Sequence, residues 1–314
     1  MKKRKLGRLE VSSIGLGCMS MSEFYGEADE SEAISAVHQA LDSGVNFFDT
    51  ADIYGMGENE KLLGKALKNR RSEAIVSTKF GVVRDRHGNT VGLNGRPEYV
   101  KKCIEDSLLR LEMEYVDLYY QHIPDPDVPI EETVGAMADL VKEGKVRFLG
   151  LSNAGADLLA RASKVHQITA LQSEYSLWNR DIEAVLPVAR ELGIGIVAHS
   201  PLGNGFLTGK LKQYKDFADD DIRRRFTRFQ EETFNRNLQL VAELERIAKN
   251  HKAAPSQIAL AWVLAQGSDI VPIPGTKRKK YLIENSGAAN ITFTQKDLER
   301  INRAANPFFV KSEL

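Results

Sequence analysis

Apolar positions along this chain follow two alternating patterns. Eight short, mostly apolar runs stand at 12–18 (SSIGLGC), 45–50 (VNFFDT), 74–80 (AIVSTKF), 116–122 (VDLYYQH), 147–153 (RFLGLSN), 170–175 (ALQSEY), 195–200 (GIVAHS) and 269–275 (DIVPIPG). Runs that are apolar on both faces suit strands of a parallel sheet whose two faces are both covered. Between them the spacing is helical. DESEAISAVHQALDSG puts Ala33, Val37, Ala40 and Leu41 on one stripe, with Asp29 and Glu32 as a capping box and Gly44 as the stop. The next begins with Pro97 in its first turn and turns Val100, Ile104, Leu108 and Leu111 inward. IEETVGAMADLVKEGKV and DIEAVLPVARELG repeat the form.

Strand and helix alternating eight times predict an α/β chain closed into a (β/α)8 TIM barrel, one domain over 1–314. The opening KKRKLGRLEVS reads as a β-hairpin around Gly7 that plugs the bottom of the barrel. From about 202 to 234 the rhythm breaks into a long, charged, weakly periodic stretch after strand seven, which reads as a lid over the barrel mouth. GLGCMS (15–20) nearly matches the glycine fingerprint of a doubly wound nucleotide-binding fold. Ser20 replaces its third glycine and no helix opens there, so the barrel is the better account.

In such barrels chemistry gathers at the carboxyl ends of the strands. Strand two ends in Asp49, with Tyr54 in the turn beyond; strand three delivers Lys79 and strand four His122. A lysine at the end of a core strand is costly unless paired, and Asp49 is at hand to pair it. A free tyrosine titrates near ~10, too high for an efficient proton donor, and a neighbouring ammonium favours its phenolate. A carbonyl oxygen set between Tyr54 and His122 would be polarised and then protonated. No serine or cysteine nucleophile and no metal-ligand cluster stands out, so a hydride from a nicotinamide cofactor completes the chemistry. After strand eight, GTKRKK leads into a helix start, where backbone N–H groups with Lys277 and Arg278 make a phosphate site; a 2′-phosphate gives that charge a purpose and favours NADP(H).

Composition narrows the rest. Forty-three Lys and Arg balance 43 Asp and Glu, so no global charge draws the chain to nucleic acid or a membrane surface. No stretch approaches the ~20 apolar residues of a membrane span. Cys18 and Cys103 are too few for a disulfide framework or a metal cage. A soluble cytoplasmic protein acting on a small molecule is expected, with self-association left open.

FFDTADIYG, STK, YYQH, LSN, LQSEYS, SPLGNGFLTG and PIPGTKR…EN together resemble the aldo-keto reductases, across nearly the whole chain. CMSMSEFYG and the long seventh loop are similar to the bacterial, fungal and plant branch. The resemblance implies reduction of an aldehyde or ketone by NADPH. Tyr54 is then the general acid, Lys79 tunes it, Asp49 positions Lys79 and His122 orients the carbonyl. It implies further that Ser152, Asn153 and Gln172 hold the nicotinamide carboxamide. Met19, the run His199, Ser200, Pro201, Leu202 and Gly203, and Lys210 join the cofactor site. Gly275, Thr276, Lys277, Tyr281, Glu284 and Asn285 take the adenosine end. Phe24, Tyr25 and Trp178 lie just beyond strand ends, where they line a substrate pocket with Tyr54 and His122 or pack the rim.

Two positions depart from the family pattern. His199 stands where an aromatic ring commonly stacks on the nicotinamide, and an ordinary histidine there would titrate within the working pH range. Tyr281 stands where many relatives have arginine, so Lys277, Lys210 and Arg223 are rival holders of the 2′-phosphate. Two other functions fit a barrel of this kind. One is a cofactor-sensing regulatory subunit with little turnover. The other is a metal-dependent lyase or hydrolase, which would need histidines and paired carboxylates at several strand ends.

Overall fold

The computed structural model describes residues 1–22, 29–217 and 221–308. The hairpin comes first: β1 (Lys3–Leu6) pairs antiparallel with β2 (Leu9–Ser12). Gly7 makes its turn at a φ of 54°, with Thr169 O and Gly193 O only 3.1 and 3.2 Å from where a Cβ would stand. The barrel strands follow: β3 (Leu16–Gly17), β4 (Phe47–Asp49) and β5 (Ile75–Phe80). A side hairpin, β6 (Val82–Arg84) with β7 (Thr90–Leu93), interrupts. The barrel then resumes with β8 (Val116–Gln121), β9 (Val146–Ser152), β10 (Ile168–Glu174), β11 (Gly195–His199) and β12 (Ile270–Pro272).

The eight barrel strands are parallel neighbours in chain order from β3 to β12. The first meets the last where Gly15 N donates to Pro272 O at 2.9 Å and Gly17 bridges Gly275. Each predicted strand is present, and the hairpin sits where it was expected. Leu6, Leu9 and Val11 enter the barrel from below and pack with Phe47, Leu118, Tyr120, Ala170 and Val197.

Helices cover the outside: α1 (Glu30–Asp42), α2 (Glu58–Leu67), α3 (Pro97–Leu111), α4 (Ile130–Lys142), α5 (Ala156–Val165), α6 (Leu186–Glu191), α7 (Glu231–His251), α8 (Pro255–Ala265), α9 (Lys279–Ser286) and α10 (Gln295–Ala305). The α1 stripe read from sequence is buried, and Asp29 caps the helix by accepting from Glu32 N at 2.9 Å. Outward strand residues such as Phe48, Val76, Phe80 and Tyr119 join the helices in one continuous core. No helix among the described residues is long and apolar enough to cross a membrane.

The segment after β11 folds as short 3-10 turns at Phe206–Thr208, Ile222–Arg225 and Thr227–Phe229 before α7 opens at Glu231. Phe234, taken from sequence as the end of the lid, is therefore already helical. Aromatic packing holds the segment to the barrel. Phe206 stacks on Trp178 at 4.5 Å between ring centroids, and Phe229 meets the edge of Trp178 at 5.4 Å. Phe234 and Phe217 close round them, at 5.1 Å from Phe206 and 5.5 Å from Phe229. Arg228 of this segment pairs with Glu174 at the end of β10, 2.6 Å apart and buried on both sides.

Candidate active site

Strand alternation sends successive side chains to opposite faces. In β5, Ile75 packs with the barrel interior while Val76 and Phe80 pack outside, so Ser77 and Lys79 point in as well. The same parity turns Asp49 inward after Phe47, Gln172 after Ala170, and His199 after Val197. Asp49 registers with Ser77, and Lys79 lies one inward position higher. Lys79 is fully buried, Asp49 nearly so.

The Lys79 ammonium donates to Asp49 Oδ1, to Thr50 O at 2.9 Å and to the Tyr54 hydroxyl at 3.3 Å. Three donors thus meet three partners, one of them the phenol. Burial opposes the charge on Lys79, but Asp49 and Tyr54 beside it hold its pKa above the ordinary lysine value. The other Asp49 oxygen accepts from Ser77 Oγ and from Gln172 Nε2, each at 2.8 Å. The His122 ring stands edge-on to Tyr54, 6.0 Å between centroids. Burial, then the nearby charge of Lys79, push its pKa well below the ordinary histidine value, which favours the neutral imidazole. His122 Nδ1 is buried and makes no hydrogen bond among the described residues. A phenol braced by an ammonium, beside a neutral imidazole, is equipped to protonate an oxygen placed between them.

Asp49, Tyr54, Lys79, His122 and Gln172 are therefore brought together. Ser152 is buried beside them at the end of β9, and Asn153 is exposed in a left-handed turn at φ 57°, its amide reaching His122 O at 3.4 Å. Met19 lies in a half-buried turn after β3. Ser200 and Gly203, at φ 50° and 55°, curl the His199–Gly203 run at the end of β11. A second group forms round the start of α9. The ammonium of Lys210 lies 3.5 Å from the centre of the Tyr281 ring and 3.9 Å from Glu284 Oε2. Glu284 also accepts from Ser256 at 2.5 Å, Thr276 Oγ1 accepts from Arg278 N at 3.1 Å, and Asn285 is buried. Arg223, a rival cation, is engaged with Asp221 at 2.6 Å. Phe24 and Tyr25 lie outside the described residues.

Of the two alternatives for Trp178, its lack of exposed surface and its place at the centre of the lid packing favour rim packing. One expectation needs correction. His199 does not titrate within the working range. Burial, then Lys79, then Arg228 lower its pKa to about 3. Sequence reasoning also missed Ser77 and the Glu174–Arg228 pair. Ser77 had a signal, since it precedes Lys79 by two on the same strand face; the pair had none. Among the described residues no three His, Cys, Asp or Glu side chains gather as a metal cage.

Comparison with known proteins identifies the family. The model of the Aldo/keto reductase family matches residues 13–306. The chain is 48% identical over 305 residues to probable aldo-keto reductase 1 of Glycine max, covering 96% of this chain and 88% of the soybean protein. It is 41% identical over 309 residues to the aldo-keto reductase yakc of Schizosaccharomyces pombe, whose name carries NADP(+), covering 96% and 91%. A solved glycerol dehydrogenase from Gluconobacter oxydans superimposes with a TM-score of 0.89 at 29% identity, over 98% of this chain and 95% of that one. This chain belongs to the aldo/keto reductase family.

Proposed function

We propose that the protein is an NADP(H)-dependent reductase of aldehydes or ketones with Tyr54 as general acid. The observation that carries this reading is the Lys79 ammonium, held by Asp49 and Thr50 O and placed 3.3 Å from the Tyr54 hydroxyl.

The residues at the mouth suit a dinucleotide. Gly275 is exposed and leaves bare backbone near Gly17 O and Ser20 Oγ, and that hydroxyl is buried without a partner among the described residues. Met19, Ser152, Asn153, Gln172 and the His199–Gly203 turn would hold the nicotinamide half. Gly275, Thr276, Lys277, Tyr281, Glu284, Asn285 and Lys210 would hold the adenosine half. Lys210 and Lys277 supply positive charge for a 2′-phosphate, and the fission-yeast relative's name supports the same cofactor. The reduced nicotinamide, when bound, supplies a hydride for the carbonyl carbon.

The chain's own residues handle the oxygen. Neutral His122 donates a hydrogen bond that orients it. The proton on the Tyr54 hydroxyl passes to it as negative charge develops there. Lys79 stabilises the phenolate left behind, and Asp49, fixed by Ser77 and Gln172, keeps the ammonium from turning away. The test is Tyr54→Phe, which keeps the ring and removes the proton. Fold and NADPH binding should persist while carbonyl reduction falls by about 10²–10⁴. Turnover near that of the unaltered protein would remove Tyr54 from this role.

A further inference from the structure

Behind the Lys79 pocket lies a second polar group that the proposed reaction does not use. Asn59 and Glu60 occupy the first turn of α2, and both have no exposed surface. The turn that leads into them is left-handed through Gly55, Met56 and Gly57, at φ 56°, 55° and 92°. Gly57 has no room for a side chain, since a Cβ would lie 2.6 Å from Arg110 Cδ. That turn drops the helix start directly behind β4 and β5.

Each buried residue is bonded next to Lys79. Thr50 Oγ1 donates to Asn59 Oδ1 at 2.6 Å, while the Asn59 amide donates to Cys18 O and Ser22 Oγ, each at 2.8 Å. The carbonyl of that same Thr50 receives the Lys79 ammonium at 2.9 Å. On the other side Thr78, which points outward beside Lys79, donates to Glu60 Oε1 at 2.6 Å. Arg110 Nε holds Glu60 Oε2 at 2.6 Å. The Lys79 carbonyl accepts from Asp52 N at 3.1 Å. Lysine is thus gripped at its ammonium by Thr50, at its backbone by Asp52 and through its neighbour by Thr78, and two of these three grips trace back to α2.

We propose that Asn59 and Glu60 are positioning residues for the reaction: acting through Thr50 and Thr78, they set the height at which the Lys79 ammonium meets the Tyr54 hydroxyl. This rests on the role proposed for Tyr54. Anchoring α2 to the barrel would explain two buried polar side chains. It would not require one anchor to end on the residue whose carbonyl receives the ammonium and the other on the residue next to that lysine in β5.

The experiment uses the full chain and Thr50→Val, which removes the hydroxyl that meets Asn59 and keeps both the side-chain shape and the carbonyl that meets Lys79. The expected kcat for reduction falls about tenfold or more, as sub-ångström misplacement of a reacting group does. NADPH affinity stays unchanged, and the alkaline limb of the kcat profile moves to higher pH because the phenolate is less well stabilised. Thr50→Ser, which restores the hydroxyl, returns kcat and the profile. Thr78→Val gives the same signs from the Glu60 side and serves if Thr50→Val does not fold. A profile that superimposes on that of the unaltered protein, with only thermal stability lowered, overturns the proposal and leaves α2 anchoring alone. Tyr54→Phe separates the two ideas. If it retains turnover, the Tyr54 reading fails; if it abolishes turnover while the threonine variants keep the normal profile, only the positioning role fails.

Discussion

Lys79 and Arg228 are both sunk against a carboxylate near the barrel mouth. Lys79 has no exposed surface and sits on Asp49; Arg228 is 3% exposed and sits on Glu174 at 2.6 Å. Their remaining neighbours differ. Lys79 spends a third hydrogen bond on the Tyr54 hydroxyl. Arg228 lies among rings, 5.5 Å from the centres of Trp178 and Phe226 and 5.9 Å from Phe229. One ion pair ends on a group that can lose a proton; the other is packed among aromatic rings. A buried pair is weak evidence of stability by itself, since desolvation offsets much of the attraction. Its neighbours decide whether it serves chemistry or closure, and here the two cases lie on neighbouring parts of one rim.

Breaking the first pair has the largest expected effect. Lys79→Met removes the brace from the phenol and should lower carbonyl reduction by about 10²–10⁴, the range of general acid catalysis. Adding Asn at Asp49 should cost less than the sum of the single changes, because the carboxylate acts through the lysine. Strict additivity in the four steady-state rates would show that Asp49 has work of its own.

Breaking the second pair should cost stability in place of turnover. Arg228→Met removes the cation paired with buried Glu174 and should lower the unfolding free energy by about 3–5 kcal/mol, read from urea denaturation. Replacing both partners by apolar residues should recover most of that loss. The comparison breaks if Arg228→Met keeps its stability and loses turnover, for Arg228 would then belong to the chemistry.

His199 is where the two pairs meet, and it sharpens the contrast with the smallest effect. After burial, the two charges that lower its pKa to about 3 are Lys79 and Arg228. The ring stays neutral, so the ratio of the NADP⁺ and NADPH dissociation constants should be flat between about pH 5.5 and 8, where an ordinary histidine would titrate. Titrations across that range that moved the ratio several-fold would mean that water or bound cofactor reaches His199 and restores its basicity.

Much of the fold was legible because its signals are local. Asp29 caps α1, Gly7 turns the first hairpin, and the eight apolar runs recur at the spacing that a parallel barrel requires. The side hairpin β6–β7 was not read. Its strands are short, mostly polar on one side and joined through DRHGN, so nothing in the alternation marks them as paired. Phe24 and Tyr25 fall outside the described residues, and the substrate pocket they were read into stays an expectation.

By itself the sequence determined the barrel and the inward placement of Asp49, Lys79 and His122. Side chains alternate with a period of two, and neighbouring parallel strands hold their register, so once one apolar residue of a strand faces the barrel interior the polar residues two and four places on face it too. The tertiary structure decided the rest. It joined Glu174 to Arg228 across 54 residues of chain, buried Trp178 beneath the lid, brought Lys210 onto Tyr281, and kept His199 neutral. None of these follows from a local pattern, because the burial and charge state of a side chain depend on what covers it, and at this rim the cover comes from a distant, irregular segment.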